Sequence, residues 1–106
     1  MLLLEERESF MEKGLDSTAV NLFFDAVLSL ENKEECYQFF EDVCTVKELV
    51  AIAQRLEVAK MLRDERTYID IAKETGASTA TISRVNRSLN YGNEGFDMVL
   101  KRMENE

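Results

Sequence analysis

The residues best suited to binding chemistry lie in one stretch, residues 74–89, with the sequence ETGASTATISRVNRSL. The stretch is rich in Ser and Thr, holds two arginines and one glycine, and has Glu74 as its only acid. Hydroxyl groups bond phosphates or bases, and arginine pairs with phosphate or guanine. Because the whole chain carries a formal net charge of −8, so acid-poor a stretch indicates a local surface for a polyanion.

Small and apolar residues in this region have the spacing of a helix-turn-helix motif, at about residues 68–89. Ala72 lets the first helix approach the second, and Gly76 supplies the positive φ that a sharp turn requires. Ile82 and Val85 are expected to bury the inner face of the second helix. That helix would enter the major groove of double-stranded DNA, about 12 Å wide, with an outward face that is short, hydroxylated and basic. This face comprises Ser78, Thr79, Ala80, Ser83, Arg84 and Arg87.

The elements that position this motif are predicted to be helices throughout, because the chain has no proline and only four glycines. Residues 1–15 are predicted to form a charged N-terminal arm, and residues 16–106 one all-α domain. Six helices are expected after capping residues, with capping-box pairs at Asn32–Glu35 and Thr45–Glu48. Three lie at about 17–30, 33–43 and 46–64, two begin after the caps Thr67 and Ser78, and the last covers about 94–104.

The first helix is apolar around nearly its whole circumference, so it must be buried on most sides. Six helices in about 100 residues, this rich in apolar side chains, favour a homodimer that shares one core. We interpret the aromatic residues of the first two helices as core and dimer interface, in preference to a ligand box. These residues are Phe23, Phe24, Phe39 and Phe40.

Several classes of function are disfavoured. The chain has no histidine, and its cysteines, Cys36 and Cys44, lack CxxC spacing, which argues against ordinary zinc sites and His-based catalysis. Without a nucleophile–base pair or a phosphate loop, no catalytic residue, metal or cofactor is predicted. No apolar run approaches the ~20 residues of a membrane span, and the first residues lack the basic segment of a signal peptide, so we expect a cytoplasmic protein without a membrane partner.

The stretch 74–89, preceded by QRLEVAKMLRDERTYIDIAK, resembles the Trp-repressor superfamily. Together with CTVKELVAIAQRLEVAKML and LNYGN, it is similar to the YerC/YecD branch of Trp-repressor-related proteins. The similarity is strong over about residues 44–92 and does not extend to the arm. It implies a six-helix, intertwined homodimer that regulates transcription in bacteria. Its two recognition helices would enter successive major grooves of a pseudo-palindromic operator.

This resemblance assigns DNA contacts to both helices of the motif. It places Thr67, Tyr68 and Lys73 of the first helix near the DNA backbone. On the base-facing part of the second helix it places Thr79, Ala80, Thr81 and Ser83.

The resemblance also implies a pocket for a tryptophan corepressor, with Arg84 and Ser88 among its residues. Val85 stands where the repressor has a glycine against which the indole ring packs. The pocket's second arginine aligns with Gln54, and Arg55 is one residue away, which on a helix is a rotation of about 100°. We therefore expect operator binding without tryptophan, and the sequence names no other small-molecule effector.

A protein-interaction module is the alternative interpretation, in which an acidic helical dimer keeps the helix-turn-helix as scaffold only. Residues 1–50 carry twelve acids and four bases, whereas residues 51–106 carry nine of each. A basic face at Ser83, Arg84 and Arg87 would favour DNA. A face covered by the acidic N-terminal helices would favour a protein partner.

Overall fold

The computed structural model describes residue 14 and residues 17–105, and these residues form six α-helices and no strand. The helices are α1 (Thr18–Leu28), α2 (Lys33–Val43), α3 (Val46–Arg63), α4 (Tyr68–Thr75), α5 (Thr79–Tyr91) and α6 (Gly95–Glu104). The predicted all-α fold is confirmed, and α1 ends two residues before the expected position. The arm predicted for residues 1–15 lies outside the described residues except for Gly14.

Side-chain caps begin the helices of the motif and the long helix before it. The hydroxyl of Thr45 accepts the backbone N–H of Glu48 at 3.1 Å, and the Glu48 carboxylate accepts the N–H of Thr45 at 2.9 Å. This reciprocal capping box lowers the pKa of Glu48, chiefly through the backbone hydrogen bond. Thr67 and Ser78 each accept a backbone N–H three residues later at 3.1 Å, so the predicted starts of α4 and α5 are confirmed.

The cap of α2 differs in detail from the predicted capping box. Asn32 accepts the N–H of Glu35 at 2.9 Å, as expected. The carboxylate of Glu35, however, accepts the N–H of Glu31 at 2.9 Å and not that of Asn32. The side chain reaches one residue further back, and the helix still begins at Lys33.

The chain divides into two compact units, Met1–Val43 and Cys44–Glu106. In the first unit, four phenylalanine rings from α1 and α2 form a cluster with centroids 5.4 to 6.2 Å apart. Neither helix contains a buried residue, and Leu22 and Leu28 of α1 are 68% and 83% exposed. A single chain therefore leaves the apolar surface of α1 largely open to solvent.

The second unit contains the buried core, with α3 in contact with α4, α5 and α6. The buried side chains come from all four helices and from the turn between α4 and α5, which fixes the motif against the long helix. They are Val58, Ala59, Met61, Ile71, Ala77, Ile82, Val85 and Leu100. None of the helices within residues 17–105 is long and apolar enough to cross a bilayer.

A tight turn after α3 directs the chain into the motif. The N–H of Arg66 donates to the carbonyl of Met61 at 3.1 Å, and the N–H of Glu65 donates to that of Leu62 at 3.0 Å. This is the Schellman pattern, and it requires a left-handed residue at Glu65, whose φ is 61°. A non-glycine residue in this region is strained, because its Cβ approaches the following carbonyl.

Candidate nucleic-acid interface

The turn between α4 and α5 is closed by hydrogen bonds at each step. Gly76 has φ 75° and its N–H donates to the carbonyl of Ala72 at 2.9 Å, as the sequence predicts. The hydroxyl of Thr75 donates to the carbonyl of Ile71 at 2.7 Å and accepts the N–H of Ala77 at 3.1 Å. The turn therefore leaves α5 with a defined starting point, held by groups of α4 itself.

One side chain of the long helix reaches this turn. The Nε2 atom of Gln54, in α3, donates to the carbonyl oxygen of Thr75 at 3.1 Å, and both residues are half-buried. That carbonyl is at the end of α4, where no further helical N–H is present to bond it. Gln54, which the alignment places at the position of a pocket arginine, therefore directs its amide to the turn.

Helix α5 presents one buried and one exposed face. Ile82 is fully buried and Val85 is 2% exposed, so both face the core as predicted. The side chains of Ala80, Arg84 and Arg87 are exposed, and Ser83 is half-buried. With 100° per residue, the exposed three lie on one stripe opposite the buried pair.

Two hydroxyl groups expected to face DNA bond to each other at the start of α5. The Oγ of Ser78 accepts the N–H of Thr81 and donates to the Oγ1 of Thr81, both at 3.1 Å, so both groups are used within the cap. Thr81 is half-buried. It lies four residues before Val85, so it is at the flank of the buried stripe and not on the outer face. Thr79 is exposed at the first position of α5.

The first helix of the motif keeps its three expected residues at the surface. Tyr68 and Lys73 are exposed, and Thr67 is exposed while its hydroxyl caps α4. Lys73 is in the last helical turn of α4, shortly before the chain enters the turn between α4 and α5.

The basic groups of the motif are not neutralised by neighbouring acids. Within residues 17–105, Lys73, Arg84 and Arg87 make no ion pair. In contrast, three basic residues outside the two motif helices do make ion pairs: Arg63, Arg66 and Lys101. The hydrogen bond with Glu74 raises the pKa of Arg66. Among the four helices of the second unit, α5 has no acid in its first turn. Both features favour an anion at the exposed face of α5.

Tyr91 belongs to the same stripe and was not among the residues singled out from the sequence. Its side chain is 87% exposed at the last position of α5. The positions Ala80, Arg84, Arg87 and Tyr91 are spaced by four, three and four residues, which is the spacing of one helix face. That spacing was the signal in the sequence that could have found it.

A cleft of about 230 Å³ lies behind α5, and it gathers most of the residues expected to form a ligand pocket. Arg55 lines it and Gln54 does not, so α3 turns the second of the two residues toward α5. Val85 lines the same cleft as a core side chain. The cleft is lined by Arg55, Thr81, Arg84, Val85, Ser88 and Phe96.

An apolar cleft of about 660 Å³ shares Arg55, Ser88 and Phe96 with this smaller one. Its remaining wall includes Ile52 and Val99, from α3 and α6. Among the described residues, no group of three or more acids or cysteines is arranged to hold a metal ion, and Cys36 and Cys44 are free and half-buried.

Comparisons with known proteins find relatives of this chain. The family model for Trp repressor protein matches residues 18–104. The uncharacterised protein YerC of Bacillus subtilis (strain 168) is 59% identical over 81 residues, which are 76% of this chain and 78% of that relative.

Two solved structures are similar over nearly their whole length. A TrpR-like protein from Eubacterium eligens has a TM-score of 0.85 and 61% identity, over 87% of this chain and 95% of its own. A candidate Trp repressor from Staphylococcus aureus has a TM-score of 0.84 and 55% identity, over 89% and 94%. The resemblance seen in the sequence is thereby confirmed.

Proposed function

The chain belongs to the Trp repressor family, and from this premise we propose that it is a sequence-specific DNA-binding regulator of transcription. In this proposal α5 enters the major groove of a pseudo-palindromic operator. The observation that carries the proposal is the exposed stripe of α5, where Arg84 and Arg87 have no acidic partner among the described residues.

The proposed contacts divide by chemistry. Arg84 and Arg87 bond phosphates or guanine, because a guanidinium offers several donors in one plane. Thr79, Ala80 and Ser83 face the bases, where short side chains allow close approach. Phosphates on the flank of the site are bound by the first helix of the motif and by its caps, with Thr67, Tyr68, Lys73 and Ser78 as the candidates.

One residue expected from the sequence has a different role in this proposal, and one residue is added to it. Thr81 supports the start of α5 through its bonds with Ser78, so it orients the base-reading turn instead of touching bases. Tyr91 extends the arginine stripe, and its exposed hydroxyl is suited to a phosphate contact at the distal edge of the site.

A homodimer accounts for the apolar surface that a single chain leaves open. Leu22 and Leu28 of α1 are exposed, and so are Ile52 of α3 and Val99 of α6 beside the larger cleft. Exposed apolar surface of this extent is typical of a protein interface. In this proposal a twofold axis relates the two recognition helices, which must lie about 34 Å apart to enter successive major grooves.

Operator binding in this proposal does not depend on tryptophan. Val85 lines the cleft behind α5 with a buried side chain, at the position where the resemblance to the Trp repressor has a glycine against the indole ring. Arg55 and Arg84 both line that cleft, so a carboxylate could still be paired. The exclusion of an indole ring is therefore steric, and no cost from a missing arginine is involved.

A selection of duplexes from a random pool, followed by affinity measurement, tests the proposal. Arg84→Ala/Arg87→Ala should lose most of the affinity for the selected duplex, whereas Arg102→Ala, an exposed arginine of α6, should retain it. Equal affinity of the double variant and the wild type would remove the groove assignment. If no duplex is enriched, the protein-interaction module becomes the better account of the acidic first half of the chain.

A further inference from the structure

In the described part of the second unit, one side-chain hydrogen bond joins the long helix to the helix-turn-helix. Among the described residues, the bond from Gln54 Nε2 to the Thr75 carbonyl is the only side-chain hydrogen bond that joins α3 to residues 68–89. The other bonds of the turn run between neighbouring groups of α4, the turn and the first turn of α5. The turn is thus internally closed, and Gln54 makes its one side-chain hydrogen bond to the long helix; Arg66, in the loop after α3, pairs with Asp70 and Glu74 of α4.

This attachment acts at the point where the direction of α5 is set. Ser78, the N-cap of α5, is three residues after Thr75, so a shift of the Thr75 carbonyl moves the first turn of α5 with it. Apolar contacts of Ile82 and Val85 hold the middle of the helix. Such contacts are non-directional, whereas a hydrogen bond constrains distance and angle.

The length of α5 converts a small change at its start into a large change at the DNA. At 1.5 Å per residue, its 13 residues span about 20 Å. A rotation of about 10° around the buried middle would displace each end by roughly 1.5–2 Å, more than the tolerance of a hydrogen bond to a base. Fixing the start of the helix therefore matters for the exposed side chains of Thr79 and Ala80.

We propose that Gln54 is a positioning residue that holds the recognition helix at its DNA-binding angle without a ligand. This inference rests on the proposed function, which it deepens: the angle of α5 is set by a bond inside the chain. The neighbouring Arg55 lines the cleft behind α5 instead, so these two adjacent residues of α3 have different roles. A change at Gln54 should alter specific binding and leave the arginine contacts in place.

The test compares Gln54→Met, which keeps the length of the side chain and removes its donor, with Gln38→Met. Gln38 is the other glutamine of the chain and is exposed on α2. Gln54→Met should weaken binding to the selected duplex by about tenfold, the effect of leaving a half-buried carbonyl without its donor. Binding to an unrelated duplex, and its salt dependence, should stay as in wild type because Arg84 and Arg87 are intact.

Amide hydrogen exchange, measured without DNA, provides an independent readout. In Gln54→Met the amides of Gly76, Ala77 and Thr81 should lose protection, while those of Val58 and Ala59 in α3 keep theirs. A uniform loss over both groups would overturn the inference, because it would reveal a purely structural role. Unchanged exchange at the turn with unchanged affinity would do the same.

The two measurements separate this inference from the proposed function. Should the wild type select no duplex, the function fails, and the exchange experiment still decides whether Gln54 holds the turn. Should the wild type bind and Gln54→Met bind equally well, the function stands and the positioning role is removed. Gln54→Glu provides a second test of the same bond. A carboxylate has no donor for the Thr75 carbonyl, so this variant should weaken specific binding at least as much as Gln54→Met does.

Discussion

Replacing Val85 by glycine should open the cleft behind α5 to tryptophan. The valine side chain is 2% exposed and lines the cleft together with Arg55 and Arg84. Overlap of an aromatic ring with this side chain costs about 1–3 kcal/mol, the usual penalty of overpacking. Removing the overlap should strengthen tryptophan binding by about 5- to 150-fold relative to the wild type.

The same substitution has a cost in stability that must be separated from the gain in binding. Loss of a buried valine side chain removes about 1.5–3 kcal/mol of burial. Glycine inside a helix costs about 1 kcal/mol more. The total, about 2.5–4 kcal/mol, is below the roughly 5–15 kcal/mol of a typical domain, so the variant should still fold at low temperature.

Isothermal titration calorimetry with tryptophan measures the effect directly, with circular dichroism to establish that each variant is folded. Asn86→Gly is the matched control, because it places glycine in the same helix at a residue that does not line the cleft. Tryptamine, which lacks the carboxylate, should not bind Val85→Gly, since Arg55 and Arg84 would have nothing to pair with.

Two results would refute this reasoning. Binding of tryptophan to the wild type with a micromolar dissociation constant would show that Val85 does not block the ring. A folded Val85→Gly with the same tryptophan affinity as the wild type would show that something other than this side chain excludes the ligand.

Three further outcomes are expected. In sedimentation at low micromolar concentration the protein should have about twice the chain mass, and a stable monomer would contradict this. Phe23→Asp should unfold the protein, because the ring cluster is part of the proposed shared core. The logarithm of the operator affinity should fall against the logarithm of salt with a slope of about −4 to −6, and Arg87→Ala should reduce that slope by about 2 per dimer; an unchanged slope would place Arg87 away from phosphate. Glu65→Gly should raise the free energy of unfolding by about 0.5–1 kcal/mol, because it relieves the left-handed strain after α3; a lower midpoint in urea would contradict this.

Patterns local in the sequence were sufficient for the ends of the helices and for the turn. Thr45 with Glu48, Thr67 and Ser78 cap helices within three residues of themselves, and Gly76 takes the left-handed conformation its position requires. The 3.6-residue period likewise identified Ile82 and Val85 as buried. Each of these features depends on neighbours along the chain, which is why a single sequence determines it.

Tertiary structure decided which residues line the cleft and which residue bonds the turn. Gln54 and Arg55 are adjacent, and no local rule states which of them faces α5, because the answer depends on the rotation of α3 relative to the motif. The same holds for Thr81, which packs at the flank of the buried stripe and not on the outer face.

By itself, then, the sequence determined the six helices, the helix-turn-helix and the acid-poor, arginine-bearing stripe on α5. Only the packing of α3 against α4 and α5 decided that Gln54 bonds the turn while Arg55 lines the cleft. The physical reason is the rotation of about 100° between consecutive helical residues: which of two neighbours faces α5 depends on how α3 is rotated about its own axis. That orientation is set by the core contacts of Val58, Ile71 and Ile82, which are distant in sequence and meet only in the folded chain.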